Sequence, residues 1–397
     1  MKKFVALFIA LAFVFGLTAP ALASTPGELL IWADDNRIEV LNELVDDFEE
    51  EFGVEVTLVE KNFGDILDDL AVEAPAGEGP DIFIGAHDWL GELIENGLVE
   101  PLDVPDIFYD DFEEVALDAF TYREDVYGVP YTLESVALIY NEDLVSEPPE
   151  TFDEFAAIVR EISAEDDKYG FTLPQPDPYH TYPYMTALGG YVFHYDEEEG
   201  VYDPTDIGLN NEGAVRGLEM LNDLYADGSV PYVDFDTMEG LMTTGDLAMT
   251  VGGPWLQPAM DDAGINYNIA PIPTMEGEKP QPFVGVHGFM ISSFSENRVL
   301  AQALLTEMVA TEETMYEIYE AEPRPPVHLG AAERVADDEI IQGFLESGAE
   351  GRPMPDIPEM AGVWAAWEDA ISLIFTQEQD VQPAMDDAVE QIREAIE

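Results

Sequence analysis

The stretch ELLIWADDNRIEVLNELVDDFEEEFGVEVTL, residues 28–58, decides the fold class. Residues 28–32 read as a short apolar strand. Val40, Leu41, Leu44, Val45 and Phe48 then recur at helical spacing, Gly53 acts as a stop, and Val54, Val56 and Leu58 alternate as a second strand. Strand, helix and strand in this order point to a parallel sheet covered by helices. The texture repeats outward. Ile66, Leu67 and Leu70 mark a helix that ends near Pro75, Ala76 and Gly77; residues 81–84 form a strand, and Leu90, Leu93 and Ile94 lie on the next helix. Beyond residue 134 it returns, with helices over 155–162 and 212–225 and a strand over 248–251 that enters Gly252-Gly253-Pro254. An amphipathic helix carrying Met385, Ala388, Val389, Ile392 and Ile396 ends the chain. The proline-rich segments 271–282, 323–326 and 352–358 read as crossings or loops. No repeat of solenoid length is visible. Two α/β lobes with a cleft between them is the expected architecture.

Composition narrows the function. A chain of 397 residues with 47% hydrophobic residues suits two packed domains. Lys and Arg number 14 against 85 Asp and Glu, a net charge of −71. Such a surface repels phosphate backbones and anionic lipid heads, so nucleic-acid and membrane-surface roles are excluded, and neutral or cationic ligands fit better than anionic ones. It also suits a saline medium, where ions screen the self-repulsion. There is no cysteine, hence no disulfide, thiolate metal site or Cys nucleophile. Lys2 and Lys3, the apolar run 4–18 and Ala21-Leu22-Ala23 read as an export signal cleaved after Ala23, leaving a mature chain from Ser24. The run is shorter than the roughly 20 residues of a membrane span, and no Cys follows for lipid attachment, so a free periplasmic protein is expected.

Four stretches set aromatic rings beside polar or small residues: His87-Asp88-Trp89, Asp177-Pro178-Tyr179-His180, Gly253-Pro254-Trp255 and Trp364-Ala365-Ala366-Trp367. Asp88 and Trp89 follow an apolar strand, at the end where open α/β sheets bind ligands. Aromatic faces cover the apolar C–H patches of a pyranose, while carboxylates accept hydrogen bonds from its hydroxyls. The combination fits a neutral, hydroxyl-rich ligand in a cleft. Read alone, each stretch is better explained by ordinary packing and surface solvation, and that reading is kept for Trp32, inside the first strand, and for Trp367, which shares a helix face with Trp364 and Ile371. The five histidines lack metal-ligand spacing, and neither a G-x-S-x-G elbow nor a phosphate loop occurs. The acidic run 196–199 lacks calcium-loop spacing. No metal, cofactor or catalytic centre is expected.

On these motifs the chain resembles the maltose/maltodextrin-binding proteins of bacterial ABC importers, within the extracellular solute-binding proteins. The resemblance runs over nearly the whole mature chain. It includes Gly79-Pro80-Asp81-Ile82, Ala86-His87-Asp88, Leu133-Glu134-Ser135, Leu138-Ile139-Tyr140-Asn141, Gly189-Gly190-Tyr191, Ala248-Met249-Thr250, Gly253-Pro254-Trp255, Pro282-Phe283-Val284-Gly285-Val286, and Pro355-Asp356-Ile357-Pro358-Glu359-Met360 leading into Trp364. It implies the two-lobe periplasmic-binding-protein fold: residues 1–23 as signal, 24–133 and 287–322 as the first α/β lobe, and 134–286 and 323–397 as the second, joined by hinge crossings. It also implies a monomeric, non-enzymatic receptor that traps maltose- or maltotriose-type α-glucans and delivers them to the membrane subunits of an ABC permease.

The resemblance assigns residues as well. Asp88 matches an aspartate that accepts sugar hydroxyls, and Glu134 a glutamate at the cleft floor. Asp177 stands where the family has a glutamate, beside Tyr179, whose ring stacks on a glucosyl unit. Trp255 and Trp364 match stacking tryptophans, and Asn36 and Arg37 the residues that touch the reducing-end sugar. There are departures. Gly85 replaces a tryptophan, Trp89 stands where a basic residue is usual, His180 takes an aromatic position, and Glu368 occupies the place of a sugar-contacting arginine. One ring and two cations are lost, which reshapes individual subsites. Closer similarity to thermophile-type members at Trp89 and Gly288-Phe289-Met290 implies a trisaccharide site. The rival functions are a receptor for another neutral sugar or a polyamine, a secreted glucan hydrolase, and a sensor that docks on a membrane receptor.

Overall fold

The computed structural model describes residues 27–396 apart from 106–107, 166 and 197–200. The export signal with its cleavage at Ala23, and most of the acidic run 196–199, lie outside the described residues.

The opening stretch folds as its pattern predicts. The strand Glu28–Ala33 pairs in parallel with Glu55–Glu60 and with Ile82–Ala86. Between the first two lies the helix Asp35–Phe52, capped by the Asp34 carboxylate, which accepts from the Arg37 amide at 3.2 Å. Gly53 ends it at φ +68°, a left-handed conformation that glycine adopts without steric cost.

The sheets are not purely parallel, which corrects the expectation. Phe283–Ser292 joins the first sheet antiparallel to Ile82–Ala86, Val99–Glu100 and Gly128–Ser135, while Arg352–Pro353 pairs with it in parallel. The second sheet places Ala137–Asn141 between Met249–Gly252 and Tyr267–Ala270, both antiparallel. Strand–helix alternation in sequence specifies neighbours that are close in the chain. The antiparallel partners arrive from far along it.

Two main cores result. One is built from residues 29–131 and 286–331, with Trp32 almost fully buried in it. The other draws on residues 136–283 and 354–392, with Trp367 at 0% exposure, and a satellite cluster joins Ile139 and Met238 to Phe344. The fold is therefore α/β with two lobes. Phe283–Ser292 is buried along its whole length, with Phe283 in the second core and Val286, Phe289 and Met290 in the first.

The expected boundary after residue 322 is displaced. Val327 and Ala331 pack in the first core. The proline-rich run before them lies beside Gly128–Ser135 as extended chain: the Leu133 amide and the Thr132 hydroxyl both donate to the Pro325 carbonyl, at 3.0 and 2.8 Å. Prolines that break helices are compatible with an edge position of this kind. Among the described residues no helix is long and apolar enough to cross a membrane.

Candidate functional site

A cleft of about 1160 Å³ lies between the two cores, and Arg37, Asp88, Trp89, Glu134, Asp177, Tyr179, Trp255 and Trp364 all line it. Asn36 sits in the first turn of Asp35–Phe52, and its side chain lies outside the described residues.

On the first-lobe wall, Asp88 and Trp89 occupy the turn His87–Trp89 that follows the strand Ile82–Ala86. The Asp88 Oδ1 atom is shielded from solvent and has no hydrogen-bond partner. Burial, with a contribution from Asp356, pushes its carboxyl up to about 7. The indole of Trp89 lies on Gly85, where a Cβ atom would stand 2.5 Å from two ring carbons. A glycine at 85 is thus what admits the ring from 89, so this wall keeps an aromatic surface although position 85 carries no side chain.

The second-lobe wall uses the same device. Trp255 beds on Gly253, whose Cβ would overlap the indole. Its ring lies 6.2 Å from Tyr179 and meets His180 edge-on at 5.7 Å. Trp364 stacks on the buried Trp367 at 6.0 Å and 10°, leaving the first indole half-buried at the cleft and the second in the core. The Tyr179 hydroxyl is buried without a partner. Asp177 is already engaged. It caps the helix Pro178–Thr186, its Oδ1 accepting from the His180 amide at 3.2 Å and its Oδ2 lying 2.8 Å from the His180 ring.

The floor is a buried charge network. Glu134 pairs with Arg324 through one oxygen, and its other lies 3.2 Å from His287 Nε2. Arg324 also pairs with Glu322 at 2.5 Å, while Arg37 pairs with Asp34 and donates to the Tyr131 hydroxyl. Arg37 Nη2 lies 2.7 Å from His287 Nδ1. A guanidinium only donates, so Nδ1 must accept and the ring proton sits on Nε2, facing Glu134. Burial would raise the Glu134 carboxyl, but His287 and Arg324 hold it well below the usual carboxylate range. Lys61, the third cation of the cleft, pairs with Asp69 and Glu73 at 2.7 and 3.0 Å. Arg37 and Glu134 thus line the cleft with their charges already paired.

Sequence reasoning missed Arg324, Glu322 and Asp34. The one available signal was the presence of Arg324, a rare cation in so acidic a chain, inside a proline-rich run. Among the described residues no group of three metal-ligating side chains occurs.

His87 stands behind the cleft at 1% exposure. The Val286 amide donates to its Nδ1 at 3.1 Å, and its Nε2 donates to the Met354 carbonyl at 3.2 Å. Burial lowers its pKa from 6.5 to about 4. The unfolded chain therefore binds the proton first as pH falls. Stability from this group is complete above pH 6.5 and is lost through pH 4, about 3 kcal/mol in all. Urea unfolding across that window should show the decline, and a His87→Gln variant should flatten it.

The family model described as bacterial extracellular solute-binding protein matches residues 43–343. A galactooligosaccharide-binding protein of Bacillus subtilis (strain 168) is 32% identical over 384 residues, covering 94% of this chain and 90% of that one. A maltodextrin-binding protein of the same strain is 30% identical over 100% of this chain and 98% of its own. A maltotriose-binding protein of Pyrococcus abyssi (strain GE5 / Orsay) is 29% identical over 88% and 78%.

Proposed function

From the membership of this chain in the bacterial extracellular solute-binding protein family, we propose that it is a receptor for a neutral oligosaccharide, best a maltotriose-type α-glucan, which it hands to an ABC permease. The observation that carries the reading is the cleft itself. Trp89 faces it from one lobe and Tyr179, Trp255 and Trp364 from the other, with the Asp88 Oδ1 and Tyr179 hydroxyl unpartnered among them. Rings cover the sugar's C–H faces, and the polar atoms take its hydroxyls. The cleft cations Arg37, Lys61 and Arg324 are all paired, so an anionic sugar finds no counter-charge.

The mechanism is a population shift. A sugar that touches both walls has its full contact set only when the lobes are closed, so binding favours closure, and the closed surface docks on the permease. No bond is broken, and the receptor acts as an extracytoplasmic monomer. The galactooligosaccharide-binding relative supports a second reading within the same class, a galactooligosaccharide in place of the α-glucan.

Calorimetric titration with maltose, maltotriose, trehalose, a β-1,4-galactotriose and spermidine, at low and molar salt, tests this. Maltotriose should bind tightly with almost no salt dependence, since a neutral ligand has no charge to screen. Preference for galactotriose would move the ligand to the second reading. A spermidine signal that fades with salt would replace the sugar by a cation, and shortened sugars recovered after incubation would make the protein a hydrolase.

A further inference from the structure

Phe63 belongs to none of the motifs discussed above. It lies on the short turn Phe63–Asp65, held by the Asn62 side chain accepting from the Gly64 amide at 3.0 Å. Asn62, Gly64 and Asp65 are exposed, yet the phenyl ring is half-buried and lines the cleft. Its face stacks on His287 at 4.9 Å and 18°, the Arg37 guanidinium lies 5.1 Å from its centroid, and Trp89 lies 5.0 Å away at 34°. The ring therefore packs on the buried charge network through His287 and beside Trp89, and it lines the cleft.

We propose that Phe63 is a specificity-determining residue of the sugar site, forming with Trp89 a continuous two-ring wall on the first lobe against which a pyranose packs opposite the tryptophans of the second. The assignment rests on the oligosaccharide reading. It deepens that reading, because the rings of the first lobe then cover more than one isolated indole could. The turn fixes the position of Phe63, and Trp89 is fixed by its seat on Gly85, so both rings are preorganised for the ligand. The same ring covers the His287 ring and lies over the Arg37 guanidinium, and a purely structural cover would need only apolar bulk. A sugar face needs the flat π surface.

Substitution by leucine and by tyrosine separates the two roles. Phe63→Leu keeps apolar volume and should leave the thermal midpoint of the ligand-free protein nearly unchanged, while weakening maltotriose binding about tenfold. Phe63→Tyr keeps the ring and should bind within about threefold of wild type. Wild-type affinity in Phe63→Leu would overturn the proposal and leave the ring as a cover only; equal losses in both variants would overturn it as well. Trp255→Ala, titrated alongside, distinguishes the failures: if it loses affinity while Phe63→Leu does not, the sugar reading stands and the role of Phe63 falls. A wild-type protein silent toward every sugar of the panel overturns both.

Discussion

Arg324→Ala should lower the unfolding free energy by about 3–5 kcal/mol, the scale of removing one partner from a buried ion pair. Arg324 is 4% exposed and holds Glu134 through Nη1 and Glu322 through Nε. Without it two carboxylates remain in the interior, near Asp34, with Arg37 as the nearby cation. The acid response should change too. In the wild type the depressed Glu134 carboxyl contributes stability that is present above its ordinary pKa of 4.5 and lost as pH falls through the lower folded value. In the variant that contribution disappears, and the stability deficit should be largest near neutral pH. Arg324→Lys should rescue poorly, because one ammonium cannot reproduce two separate guanidinium contacts. Urea unfolding at pH 7 and pH 3 measures both effects. A loss below about 1 kcal/mol would mean that the network behaves like a surface pair.

Trp255→Ala and Trp364→Ala should each weaken maltotriose binding by roughly 1–3 kcal/mol, the loss of one aromatic contact with the ligand. Their structural settings make Trp367→Ala the informative control. Trp367 is fully buried beneath Trp364, so its truncation opens a cavity and should cost about 3–5 kcal/mol of folding stability. Titration and thermal unfolding of the three variants should divide them cleanly: affinity lost with little change in melting for the first two, melting lost for the third. Unchanged affinity in both Trp255→Ala and Trp364→Ala would remove the aromatic walls from the binding account.

Much of the α/β framework could be read from residue patterns, because helices and parallel strands that are neighbours in the chain carry local periodicity. The helices Asp35–Phe52, Glu212–Ala226 and Val381–Ile396 each announce their buried face. Phe283–Ser292 does not. Its residues are buried on both faces, so no alternation marks them as a strand, and its partners lie far away in sequence. Trp89, Tyr179, Trp255 and Trp364 were legible as short motifs, whereas Phe63, which also lines the cleft, was not. The Glu134–Arg324–Glu322 contacts were not, since ion pairs between distant segments leave no local pattern. The place of Trp89 could be guessed but not its dependence on Gly85, which appears only when the backbone brings the ring onto the glycine.

The late arrival of Phe283–Ser292 has a consequence for biosynthesis. When residues 28–135 have left the ribosome, Ile82–Ala86 and Gly128–Ser135 still lack the strand that pairs with both. Nor can the second core close early, since it waits for residues up to 392. The nascent chain is thus held short of its finished state until most of it has been made, with unpaired strand edges that a chaperone or translocation machinery can grip. Interleaving the two lobes along the chain works as a timer: a topology that builds each core from distant segments postpones the moment at which either can lock.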